Sequence, residues 1–240
     1  MAKKNSLVNS CNELISDLNK KIYKPIYVLV GDETYYIDVI SDYIEQNVLS
    51  ESEKAFNQTI LYGKDTNVGA IIEISRRFPM MANQQVVIVK EAQLIKKLED
   101  LEVYVKAPQP STILVLCLKQ NPGVKTGEKV KKLFTQIAKI GVVFESKRLY
   151  DYQIPEWITS YLTKTGISIS PESAELLKDF LGNDLSKVVN ELDKLFNSIS
   201  EEDSYELRDK TIFELLYSSG LRISEAIDLK MNDVDFENAF

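Results

Sequence analysis

Two acids stand side by side at Asp32 and Glu33 in "VGDETYYID", directly after an apolar run. Carboxylates on a turn can act as an acid–base couple or cap the helix that follows. Acid–base work at neutral pH falls most often to histidine, and this chain of 240 residues has none. That also removes imidazole metal ligation, and with it most hydrolase and metalloenzyme chemistry. Capping is the role the two acids support best. The cysteines, Cys11 and Cys117, lie far apart and match no metal spacing. Both are expected to be reduced, Cys117 as a small core residue, in a cytoplasmic protein.

Binding is the other chemistry to look for. The net charge of −7 argues against a protein living by non-specific phosphate contacts. A basic run from Lys119 through Lys125, Lys129, Lys131 and Lys132 leaves DNA open as a partner, although a solvated helix end explains it as well. Trp157 and Tyr161 share a helix face, which fits domain core better than a base-stacking platform. The most unusual stretch is "SRRFPMMANQQ", residues 75–85, where Met80 and Met81 supply half of the chain's four methionines. A Phe-Pro-Met-Met tip is too apolar for an ordinary turn. It marks either core packing or a surface offered to a partner.

The elements that must position these residues follow from periodicity. Residues 7–22 have helical spacing, and "PIYVLVGDE" reads as a buried strand ending in a turn. "TYYIDVISDYIEQNVL" is a helix with Thr34 as the expected N-cap. "NQTILYG" is a short strand, "NVGAIIEISRRF" a helix, and "QQVVIVKEA", "STILVLCL" and "VVFESKRL" are further strands. Strands alternating with helices predict an α/β fold around a mostly parallel sheet. After "YDYQIP" three amphipathic helices follow, "PEWITSYLTKTG", "SPESAELLKDFLG" and "DLSKVVNELDKLFNSI", and then the acidic linker "SISEEDS". The predicted domains are 1–148, a three-helix domain over 149–199, and a short helical tail over 200–240. Nothing approaches the ~18 consecutive apolar residues of a membrane span, so no membrane partner is expected.

An α/β domain followed by a three-helix domain is the layout of AAA+ ATPases. Their phosphate loop, G-x-x-x-x-G-K-[ST], should follow the first strand. "VGDETYYID" has neither its second glycine nor its lysine. "GVKTGEKVKK" has its glycines one residue too close and follows the wrong strand. In "VVIVKEA", Lys90 takes the place of a magnesium-binding aspartate. The expectation is an AAA+-type fold with no cofactor and no bound metal.

Six blocks in order carry a family resemblance: "YVLVGDETYYIDVISDYI", "FNQTILYGKD", "ISRRFPMMANQQVVIVKEAQLIK", "PSTILVLCLK", "GVVFESKRLYDYQIPEWI" and "GNDLSKVVNELDKL". From about residue 24 to about 197 the chain resembles the delta subunit of the bacterial DNA polymerase III clamp loader. The resemblance implies a degenerate AAA+-type domain that has lost ATP binding. It also implies a short helix and loop whose adjacent apolar residues insert into a pocket on the ring-shaped sliding clamp and help to open it. Met80 and Met81 fall where the family carries this wedge, with Phe78 and Pro79 shaping the approach. The competing reading puts both methionines in the core under the sheet, and under either one Phe78 is a candidate for the core.

From about residue 206 the sequence turns to "ELRDKTIFELLYSSGLRISEAIDLKMNDVDF". This resembles the opening of the tyrosine recombinase (phage-integrase) catalytic domain, with Arg222 on its first catalytic arginine. A guanidinium there can grip a phosphate bidentately. The recombinase site also needs a lysine, a His-x-x-Arg box and a tyrosine nucleophile further downstream, so Arg222 is read as vestigial. In the delta family a collar-forming helical domain continues at this point. Its replacement is expected to weaken binding to the other clamp-loader subunits.

The function expected is a non-catalytic clamp-loader subunit in DNA replication, part of the DNA polymerase III holoenzyme. Its partner would be the sliding clamp, and it would have no ATPase and no complete recombinase site of its own. The alternative is a DNA-binding, recombinase-related protein acting in DNA recombination.

Overall fold

In the computed structural model, residues 7–119 and 127–197 are described, with side chains over 10–119 and 127–194. The chain divides into two compact units, Met1–Arg148 and Leu149–Phe240.

The first unit runs α1 (Leu7–Asn19), β1 (Ile26–Gly31), α2 (Thr34–Asn47), α3 (Glu51–Asn57), β2 (Gln58–Tyr62), α4 (Val68–Ser75), β3 (Gln85–Lys90), α5 (Glu102–Val105), β4 (Thr112–Lys119), α6 (Glu128–Ile137) and β5 (Val142–Ser146). The five strands form one sheet in the order β2-β3-β4-β1-β5. All four pairings are parallel. Because helical crossovers cover both faces, β1 and β4 are buried along essentially their whole length and read as continuous apolar runs rather than alternating ones. Alternate residues of each strand pack on opposite faces. Ile26, Val28, Val30, Val87, Val89, Leu114 and Leu116 pack on one of them with Ile71, Leu133, Phe134 and Ile137. The other face supplies Leu29, Ile88, Val115 and Cys117, with Ile37, Ile40 and Ile44 of α2 also buried.

Three boundaries differ from expectation. Glu33, not Thr34, is the N-cap of α2, its carboxylate accepting from Tyr35 N–H at 3.1 Å. The helix predicted over 67–78 ends at Ser75, and Arg76 serves as its C-cap. Helix α3 was not anticipated, and Asn57 ends it instead of opening β2. A signal for it is present in Ser50 and Glu53, a capping box in which Ser50 N–H donates to Glu53 at 2.8 Å.

The second unit holds α7 (Ile154–Lys164), α8 (Pro171–Leu181) and α9 (Leu185–Asn197). Proline opens the first turn of α7 and α8, where its missing N–H costs nothing. Gly166 and Gly182 take positive φ just beyond them. Trp157, Ile158, Leu162, Leu177, Leu185 and Val188 form the unit's core. Trp157 stacks on Tyr161 at 5.5 Å, and the Tyr161 hydroxyl donates to Asp193, so this pair is spent on the fold. Among the described residues no helix is long and apolar enough to cross a membrane.

Candidate functional site

Open parallel sheets bind ligands beyond the carboxyl ends of their strands, where the strand order reverses. Here that point lies beside β1. The turn from β1 into α2 is short and tied down. Glu33 N–H donates to the Ser146 carbonyl at 3.2 Å, and Ser146 Oγ donates back to the Glu33 carbonyl at 2.7 Å. Arg148 N–H donates to Asp32 at 3.0 Å. Both acids are thus structural, and a carboxylate already sits on the helix N-terminus where a phosphate would have to bind.

The neighbouring strand ends are filled by ion pairs. Lys90, ending β3, lies 3.1 Å from Glu45 and 3.8 Å from Asp42; Lys119, ending β4, lies 2.7 Å from Asp38. All three acids come from α2. Desolvation pulls the Lys90 ammonium down, but Glu45 and Asp42 outweigh it and the net shift is upward. Desolvation, reinforced by Asp38 and Glu45 against Lys90, pushes the Asp42 carboxyl up. Ion-paired lysines end both strands where a magnesium-binding acid would stand, so these residues do not fit a magnesium nucleotide. Among the described residues no cluster of His, Cys, Asp or Glu is placed to hold a metal ion. Lys129 and Lys131 of the basic run are paired with Glu99 and Glu128, at 3.8 and 3.5 Å. Lys125 and Arg222 lie outside the described residues.

The apolar knuckle lies on the connection from α4 to β3. Phe78 is 80% exposed, Met80 61% and Met81 103%, while Pro79 is half-buried. Phe78 is therefore not core. All four residues lie on an irregular loop beyond the end of α4, with no helical turn of their own. Its base is fixed at both ends. The Ser75 carbonyl accepts from Thr112 Oγ1 at 2.9 Å and from the Tyr104 hydroxyl at 3.4 Å; the Ile74 carbonyl accepts from Gln85 Nε2 at 2.8 Å. Burial pushes the Tyr104 phenol up, which keeps it a donor. Gln85 N–H donates to the Ser111 carbonyl at 2.8 Å.

The tip itself is held from α3. Asn57 Oδ1 accepts from Met80 N–H at 2.6 Å, and Asn57 Nδ2 donates to the Met80 carbonyl at 2.9 Å. The next residue, Met81, is held in the left-handed region at φ +53°. Such a conformation in a non-glycine residue persists only where the surroundings enforce it. Asn57 went unnoticed in the sequence, as did Phe56 beside it, which is 70% exposed. No local pattern announces a side chain that bonds main chain 23 residues away. The arrangement is a rigidly held, apolar, solvent-facing tip suited to filling a pocket on another molecule.

Comparison with known proteins identifies the family of the chain. A model described as DNA polymerase III, delta subunit, matches residues 27–147, half of the chain, and a phage integrase family model matches residues 185–240. The second match begins at Leu185, the first residue of α9, earlier than the resemblance read from about residue 206. DNA polymerase III subunit delta of Bacillus subtilis (strain 168) is 27% identical over 219 residues, covering 83% of this chain and 62% of that protein. Tyrosine recombinase XerC of Staphylococcus aureus (strain JH9) is 46% identical over 46 residues, 19% of this chain and 15% of that protein. Among solved structures, the Bacillus subtilis DNA clamp loader delta protein superposes with a TM-score of 0.62 at 26% identity, covering 80% of this chain and 58% of that one. The chain spans about three fifths of the length of the delta relative it matches. On the match over residues 27–147, the chain belongs to the DNA polymerase III delta subunit family.

Proposed function

We propose that this protein is a non-catalytic, delta-type clamp-loader subunit that binds the sliding clamp through Phe78, Pro79, Met80 and Met81 and helps to open it. The observation that carries the reading is the exposure of Phe78, Met80 and Met81 on a loop whose base and tip are both hydrogen-bonded to the body. A soluble protein gains nothing for its own fold from apolar side chains held in water, whereas a partner pocket gains their burial. Methionine suits the role because its unbranched, polarizable side chain adapts to the shape it enters. The ion-paired strand ends support a subunit without ATPase activity. Docking onto the other loader subunits, and any DNA contact, belong to the same proposal.

The test is titration of the cognate sliding clamp with the native chain and with Met80→Ala/Met81→Ala. Truncating a hot-spot pair costs ~2 kcal/mol or more, so affinity should fall about thirtyfold. The melting temperature should stay within the range of surface substitutions, ~0.5 kcal/mol or less. Unchanged clamp affinity in the double variant would sink the proposal. The recombinase match covers only the stretch from residue 185 onward and supplies one arginine of a larger site, so no second reading is advanced.

A further inference from the structure

We propose that Asn57 is the positioning residue of the tip: its carboxamide fixes the loop in the shape in which Met80 and Met81 are offered to the partner. The inference rests on the clamp-binding reading above and adds to it a residue that need not touch the clamp. Asn57 is 98% buried, with 2% of its surface exposed, while the methionine side chains beside it are in water. Its amide meets both main-chain groups of Met80, as a neighbouring strand would, at 2.6 and 2.9 Å. The second Nδ2 hydrogen goes to the Glu53 carbonyl at 3.1 Å, one turn back in α3. With two acceptors on the nitrogen and a donor on the oxygen, the carboxamide has one satisfactory orientation.

The chemistry admits few substitutes. Aspartate can accept from Met80 N–H but turns a carboxylate toward two carbonyls. Leucine fills the volume and bonds nothing. Alanine leaves the Met80 N–H and C=O without partners. Pro79, having no N–H, offers the loop no replacement donor on that side. Once Met80 is released, Met81 has no reason to remain at φ +53°, and the tip relaxes into a set of shapes. Fixing the loop beforehand spares binding the cost of ordering it. Where the binding shape is populated about one tenth of the time, the apparent affinity falls about tenfold.

The experiment uses the full chain and the cognate sliding clamp, with binding measured well below each variant's melting temperature. Asn57→Ala and the near-isosteric Asn57→Asp should each bind the clamp about tenfold more weakly, although every apolar side chain of the tip is intact. Added to Met80→Ala/Met81→Ala, Asn57→Ala should cause little further loss, because its effect passes through the side chains already removed. A merely structural defect would add in full, and full additivity overturns the proposal. So does native-like affinity in a folded Asn57→Ala. Amide exchange on the native protein gives an arm free of mutation. Met80 N–H should exchange far more slowly than the other exposed-loop amides, and exchange at their rate overturns the lock. The two readings fail separately. Loss of affinity on truncating the methionines, with none on altering Asn57, rejects the positioning role alone. Native affinity in the methionine variant rejects the clamp surface, and slow Met80 exchange then shows the lock intact without that partner.

Discussion

Lys90 of β3 and Glu45 of α2 sit 3.1 Å apart at the sheet's carboxyl edge, with 32% and 27% of their side chains exposed. Asp42 stands at 3.8 Å as the surplus acid. Removing the cation leaves two carboxylates facing each other. We expect Lys90→Met to lose about 1–2 kcal/mol at pH 7, less than a fully buried pair because solvent reaches both groups. The sign with pH is definite. Lysine's raised folded value means its contribution is complete below the ordinary lysine range and is lost as pH rises through the folded value. Asp42, shifted upward, is relieved as pH falls. The deficit of Lys90→Met should therefore shrink in urea melts taken at pH 4.

The same strand ends predict a failure to bind nucleotide. With Glu33 capping α2 and both lysines occupied, isothermal titration of Mg-ATP should show no site tighter than about 1 mM. Micromolar, magnesium-dependent binding would contradict the account of this edge.

Gly31 is fixed by its neighbour on β5. A Cβ built there would stand 1.7 Å from the Ser146 carbonyl oxygen, and φ is +154°. Backbone cannot give way by that much without opening the β1–β5 pairing. Gly31→Ala should cost about 3 kcal/mol or more, read as a large fall in the urea midpoint with little change in slope.

Met81→Gly separates binding from folding. The wild-type residue is fully exposed at positive φ, a conformation costing a methionine roughly 1 kcal/mol and glycine almost nothing. Thermal melts should show the variant at least as stable as the native protein to within ~0.5 kcal/mol, while clamp affinity falls.

Cys117 should be chemically silent. Burial pushes its thiol up to about 12, so about one in ten thousand is thiolate at pH 8. Cys11 is also buried. Thiol titration of the native protein should read almost nothing until denaturant exposes both.

The sheet was legible because β1, β3 and β4 are buried on both faces and appear as unbroken apolar runs bounded by turn residues. Helix α3 was not, because seven residues are too few for a period, and only its capping box marks it. The cap of α2 was misplaced by one residue, since threonine and glutamate in succession both qualify and only the carboxylate reaches Tyr35 N–H. At the tip, Met80 and Met81 stood out as apolar residues where turn chemistry calls for polar ones. Phe78, flanked by a helix and a proline, carried no mark separating an exposed ring from a buried one. Asn57 could not be found from its neighbours in sequence, because its meaning lies in a distant segment brought alongside by the sheet.

Every bond that shapes the loop, from Asn57, Gln85, Thr112 and Tyr104, ends on a main-chain atom. The side chains at 78, 80 and 81 are thus interchangeable letters on a fixed type-block. Partner preference can drift, or be rewritten in a library randomised at those three positions, without the core having to be repacked in step.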